Sequence, residues 1–296
     1  MTATTVELPV AVRRSRLRRF LRRFPMSARL AALVLILYFL VALTGPLWAP
    51  YDPYEAGTGL PYSGASWSHL FGTDILGRDV FSRVVYGARD VLYLALASTF
   101  AATVVGGLIG LASGLVGGWV DELLMRLFET VISIPLLVLA LLAIAAAGPK
   151  AAGNSFLLIG VVVLVYAPRI ARMARSVAVD LATRDFVAVA RARGESVRSI
   201  VWRELTPNAA GVLLVEFGVR AGYAPILISS LGFLGFGAQP PSPEWGLMIS
   251  ENRAALVTAP VAVLAPSAAL AGLVISLNLV TDGIARALGR SAQRTP

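Results

Sequence analysis

Five stretches of this chain run for 18 to 30 residues without a charged side chain: Leu30–Tyr51, Val91–Val120, Thr130–Pro149, Ala151–Pro168 and Ala254–Thr281. A sixth, Leu205–Pro243, is apolar apart from Glu216 and Arg220. About 20 apolar residues in a helix cross a hydrocarbon layer of roughly 30 Å. Backbone groups facing lipid must be satisfied internally, which leaves helices or a closed barrel. The period-two alternation of a barrel is absent. The sequence therefore predicts an all-α membrane protein with six transmembrane helices. Composition agrees: 57% of residues are hydrophobic and 15% charged, against roughly 45–50% and about 25% in soluble domains.

Orientation follows from the arginines. With both termini cytoplasmic, 20 of the 26 basic residues fall inside, as the positive-inside rule requires. The tail 1–29 is net +7 and the loop 169–203 is net +5. The predicted organisation is a basic cytoplasmic tail over 1–29, a first transmembrane helix over 30–50 and an external loop over 51–88. A transmembrane domain over 89–282 follows, with a cytoplasmic loop at 180–207, and then a tail over 283–296. This charge distribution explains the pI of about 10.6 through the lipid bilayer, without nucleic acid as a partner. Arg18-Arg19-Phe20-Leu21-Arg22 resembles a twin-arginine export signal, but five further spans follow and no A-x-A site closes the first. We read it as a juxtamembrane anchor.

The residue inventory excludes much chemistry. There is no Cys, one His (His69) and one Lys (Lys150). Disulfides, thiolate metal sites and His-cluster sites are removed, and His69 is expected to be a solvated loop residue. No phosphate loop surrounds Lys150. No catalytic and no metal-ligating residue is expected, so energy for any active process must come from another chain.

Four segments invite interpretation. In the loop after span four, Ala188–Ala192 favours a helix, Gly194 stops it, and Pro207 suits the start of the next helix. This reads either as a short helix for a partner's groove or as a basic loop on lipid headgroups. Glu216 and Arg220 stand four apart with the acid first, the order that favours an ion pair on one helix face. They could touch substrate or settle helix packing. Gly106, Gly110 and Gly114 form a small-x3-small stripe for close packing, within the subunit or against another. The segment around Gly77-Arg78-Asp79 could dock an external partner or gate a pathway. It could equally fold as a cap held by Asp74–Arg78 pairs.

Several motifs carry a family resemblance. Phe71-Gly72-Thr73-Asp74-Ile75-Leu76-Gly77-Arg78-Asp79, continuing to Ser82-Arg83, resembles the FGTDxLGRDxxSR signature of the dipeptide/oligopeptide/nickel permeases of ABC importers. Gly117-Gly118-Trp119-x-Asp121, the run Phe233–Gly246 with Gln239, Pro240 and Pro241, and Asn278-Leu279-x2-Asp282-Gly283 are similar to further family segments. Ala188-x-Ala190-x3-Gly194, followed by Pro207, resembles the family's EAA loop. Here Ala188 replaces the Glu, Val189 the middle Ala, and Glu204 the frequent His. The likeness spans roughly residues 30–288; Gly289-Arg290-Ser291 replaces the D-P-R tail, and Ile228 an acid.

The resemblance implies a type I ABC importer permease fold and a C-type subunit in the cytoplasmic (inner) membrane of a bacterium or archaeon. Implied partners are a homologous second permease, two ATPase subunits and an extracytoplasmic binding protein. ATP and Mg would be held by the ATPases, with no cofactor in this chain. The EAA loop would be the coupling helix, and ATP-driven closure would rock the permeases in alternating access. On that reading Phe186 and Val187 are apolar knobs for the ATPase groove, and Arg184, Asp185 and Arg191 fix the register. Ala188, Ala190, Gly194 and Pro207 shape the element. Glu216 and Arg220 are candidate pathway residues. Peptides are the expected substrates, with nickel chelates, glutathione or another small solute as alternatives. A stand-alone secondary transporter would show inverted repeats, and a membrane enzyme a polar catalytic cluster. Neither is visible in the sequence.

Overall fold

The structure is a computed structural model that describes residues 25–148 and 153–292, with side chains in the last helix to residue 287. The tail before residue 25 and the turn at Lys150 lie outside the described residues. The described residues are nearly all helical. In chain order the elements are α1 (Met26–Trp48), α2 (Val80–Val116), α3 (Gly118–Ser133), α4 (Leu136–Ala147), α5 (Ser155–Ala182), α6 (Asp185–Ala192), α7 (Val197–Ile200), α8 (Thr206–Phe233), α9 (Trp245–Asn252) and α10 (Pro260–Ala292). One π-helical turn, Val201–Leu205, joins α7 to α8. Five helices are long and apolar enough to span a membrane, and the bent pair α3–α4 makes six.

The helix α2 starts at Val80, nine residues before the boundary placed at 89. The carboxylate of Asp79 caps it by accepting the Ser82 N–H at 2.7 Å. At 1.5 Å per residue it is about 55 Å long, so its charged first turns stand clear of the hydrocarbon. The third span is broken: α3 and α4 meet at 98°, at Ile134-Pro135. Proline lacks the N–H to continue α3 and suits the start of α4.

The glycine stripe packs within the subunit. A Cβ on Gly106 or Gly110 would overlap the carbonyl oxygens of Ala167 and Ala171, and one on Gly114 would lie 2.8 Å from the Ala178 Cβ. The small face of α5 (Ala167, Ala171, Ala174, Ala178) thus lies directly against α2. Gly110→Val should overpack this seam and destabilise the fold by about 1–3 kcal/mol. Gly211→Val, where a Cβ meets nothing within 4 Å, should leave the melting temperature in detergent unchanged. Equal melting of the two variants would refute the seam.

Three apolar clusters stack through the bundle. One joins Val80, Val91, Trp245 and Leu273. A central one joins Ala102, Val162, Tyr166, Ala224 and Leu231. The third, on the arginine-rich side, joins Leu111, Leu115, Ala174, Val187, Ala190, Val201 and Leu205. The helix α1 packs on the edge of the first cluster through Leu35, Tyr38, Val41 and Ala42. Its Tyr38 hydroxyl donates to the Ala269 carbonyl of α10 at 2.8 Å, while Leu33, Leu40, Leu43 and Leu47 stay exposed. An exposed leucine face on a helix that is charge-free from Leu30 onward fits a lipid or helical neighbour.

Candidate functional sites: a docking loop, a locked cap and a charged cleft

The segment 183–207 folds as two short helices around a glycine turn. Gly194 has φ of +75°. Its N–H donates to the Arg191 carbonyl at 2.9 Å, and the Glu195 N–H donates to the Ala190 carbonyl at 3.1 Å. This pair of bonds is the Schellman stop that favours glycine in the left-handed region. Ser196 caps α7 through the Ser199 N–H. The Glu195 carboxylate accepts from Ser199 Oγ at 2.8 Å and from Arg193 Nη2 at 2.6 Å. These bonds hold Glu195 below the usual carboxylate range, the Ser199 bond first.

The element is two-faced. Val187 and Ala190 are fully buried in the chain's own core, and Phe186 is half-buried against it. Val187 is therefore not a knob available to another protein: at this helical register it faces Leu111 and Leu205. Asp185, Ala188, Val189 and Ala192 form the exposed face, with Val189 52% exposed. Arg184 pairs with Asp180 one turn earlier at 3.0 Å. Arg191 donates to the Leu115 carbonyl at 2.9 Å, tying α6 to the last turn of α2. Pro207 stands at the second position of α8. A Cβ on Gly194 meets nothing within 4 Å, so substitution acts through backbone strain alone, at about 1–2 kcal/mol. Gly194→Val should loosen the α6–α7 turn, read as faster amide exchange at Glu195, with Gly194→Asn milder. Identical exchange in both would refute the strain argument.

On the opposite side, residues 51–79 fold back as a cap. Asp74 Oδ1 accepts the Leu76 and Arg78 N–H groups at 2.9 and 3.0 Å, and Oδ2 accepts Arg78 Nε at 2.6 Å. Gly77 has φ of +69°, and a Cβ there would overlap the Gly59 carbonyl. Arg78 reaches Glu251 of α9 at 2.6 Å. Arg83, fully buried, donates to the carbonyls of Pro53, Pro241 and Ser242 at 3.0, 3.2 and 3.1 Å, and to Glu251 at 3.3 Å. Gln239 folds onto its own loop, donating to the Gly235 and Gly237 carbonyls, beside Pro240 and Pro241. His69 is not solvated. It is 6% exposed, bonded to Asp79 Oδ1 at 2.9 Å, and stacked on Tyr51 at 4.8 Å. The signature residues Asp74, Gly77, Arg78 and Asp79 thus build the cap itself.

The pair Glu216–Arg220 forms, with Nε 2.8 Å from Oε1, and Arg220 lies 5.9 Å from the Tyr166 ring centre. It borders a cleft of about 520 Å³ that also takes in Arg169, Arg172, Met173 and Ser176. Nearby, Asp121 is gripped by Arg175 through Nε and Nη2 and by the Ser113 hydroxyl at 2.9 Å, which ties α3 to α2 and α5. Sequence reading missed Glu251, Arg169, Arg172 and the Asp121–Arg175 pair. Arg83 and Asp121 stood in quoted motifs, but their partners lie 168 and 54 residues away.

Stacked apolar helices with charges buried between them define an integral membrane protein. The family described as "Binding-protein-dependent transport system inner membrane component" matches across residues 106–294, and the chain belongs to it. It is a transport permease of the ABC importer class with the type I fold, seated in the inner membrane, and not an enzyme. The dipeptide transport system permease protein of Alkalihalophilus pseudofirmus is 33% identical over 86% of this chain and 83% of its own. The glutathione transport system permease proteins of Pectobacterium atrosepticum and Escherichia coli are 34% and 37% identical. They cover 92% and 91% of this chain, and 90% and 88% of their own. Among solved structures, a chain of the MetNI methionine ABC transporter in inward-facing conformations aligns with a TM-score of 0.49. It is 20% identical and covers 70% of this chain and 97% of that one.

Proposed function

We propose that this chain is one of two homologous permease subunits of an importer for short peptides, a class that includes dipeptides and the tripeptide glutathione. One observation carries the reading: relatives alignable over nearly the whole chain are named for these two substrates. Both are small solutes with free carboxylates. ATP and Mg would be bound by two partner ATPases, and an extracytoplasmic binding protein would deliver the solute. The two-faced helix α6 supports a coupling role. Its inner face is locked to α2 and α5, so a push on Asp185, Ala188, Val189 and Ala192 passes into the bundle as a rigid-body movement. With Ala188 in place of a carboxylate, seating would rest on packing and on Arg184 and Arg191.

Purification of the C-terminally tagged chain in mild detergent, with mass spectrometry of what accompanies it, tests this. A second permease and phosphate-loop ATPases are expected. Recovery of the chain alone, or only with copies of itself, would overturn the heteromeric reading.

A further inference from the structure

The cleft between α5 and α8 holds three guanidinium groups against one carboxylate. Arg169 lies 14 residues from the start of α5, and Arg220 lies 13 residues from the end of α8. At 1.5 Å per residue both are about 20 Å from the same side of the bundle, so the charges sit at one level, halfway along these two helices. Glu216 and Arg220 satisfy each other. Arg169 donates one nitrogen to the Val165 carbonyl at 2.7 Å, and no hydrogen bond of Arg172 to a described residue is present. Arg172 and Ser176 are exposed in the cleft.

Charges at this depth face water or a partner rather than lipid. An open cleft with an excess of guanidinium groups concentrates anions, and the planar fork of arginine matches the two oxygens of a carboxylate. We propose that this cleft is a carboxylate-binding station on the solute path, with Arg169 and Arg172 as the anion-holding groups. Glu216 holds Arg220 against Tyr166 and keeps the site from gripping the anion with all three. The inference rests on the import reading above and narrows the cargo to solutes that bear a free carboxylate.

Because the chain contains no Cys, a single Ser176→Cys reports on the cleft without competing thiols in this subunit. Inside-out vesicles holding the whole importer are treated with the anionic sulfonatoethyl methanethiosulfonate or its cationic trimethylammonioethyl counterpart. Rates are normalised to 2-mercaptoethanol, and modification is read on this subunit by mass. The anionic reagent should be favoured about tenfold, and the preference should vanish when Arg169→Gln and Arg172→Gln are added. Alanyl-alanine should slow labelling, and its C-terminal amide should not. No labelling by either reagent would mean that the second permease covers the cleft, and would overturn the proposal. So would a preference indifferent to the two arginines, or equal protection by peptide and amide. If the importer takes up alanyl-alanine equally well in the double variant, the station fails while the import reading stands. An assembly without ATPases removes both.

Discussion

Arg83→Leu is expected to tear the external cap from the bundle. Arg83 is fully buried and joins three chain segments: Pro53 at the start of the cap, the Pro241–Ser242 loop, and Glu251 on α9. Its guanidinium also lies 3.6 Å from Asp74, itself 0% exposed. Leucine would fill part of the volume but leave three carbonyls without their donor and two carboxylates sharing Arg78 alone. Removing one partner from a buried ion pair costs about 3–5 kcal/mol. Lysine should not rescue, because a single ammonium cannot fork to carbonyls on two sides. Arg126, whose side chain is 73% exposed beside Glu122, is the control: Arg126→Ala should leave the melting of the complex unchanged, because a solvent-exposed ion pair is screened by water and salt. Melting of the purified complex in detergent, with limited proteolysis of residues 51–79, reads both. Native-like melting and an intact cap in Arg83→Leu would refute the network.

What could be read in advance divides along physical lines. The spans were legible because hydrocarbon forbids charge, and that rule acts residue by residue. The i, i+4 pair Glu216–Arg220 was legible because helix geometry alone brings it together. The start of α2 was not, since a helix that leaves the membrane can carry Arg83 and Asp90, and a charge-free run stops short of it. The burial of Val187 depended on which side of a two-turn helix meets α2, information held by Leu111 and Leu205 far along the chain. The Arg83–Glu251 and Asp121–Arg175 pairs are likewise long-range. Pairwise chemistry without a fold offers each arginine many acids.

On the proposed coupling role, Val189→Asp should reduce ATP-driven uptake about tenfold or more while the subunit still folds and inserts. Val189 is half exposed at the centre of the outer face of α6, between Asp185 and Ala192. A carboxylate there costs the isolated permease little. Buried in a partner's groove it would be an unpaired charge, and truncating or spoiling a central contact commonly costs 2 kcal/mol or more of binding, where about 1.4 kcal/mol is tenfold. Val187→Asp, two residues earlier, should behave differently. Its side chain is 0% exposed, so the charge would enter the core formed by α2, α5 and the π-helical turn, and the protein should fail to accumulate. Uptake and ATP hydrolysis measured in the same vesicles separate the outcomes. Lost uptake with normal subunit levels places coupling on the outer face. Native uptake by Val189→Asp would show that force enters the bundle elsewhere, and the Arg191–Leu115 tie between α6 and α2 would then serve only to fold the loop.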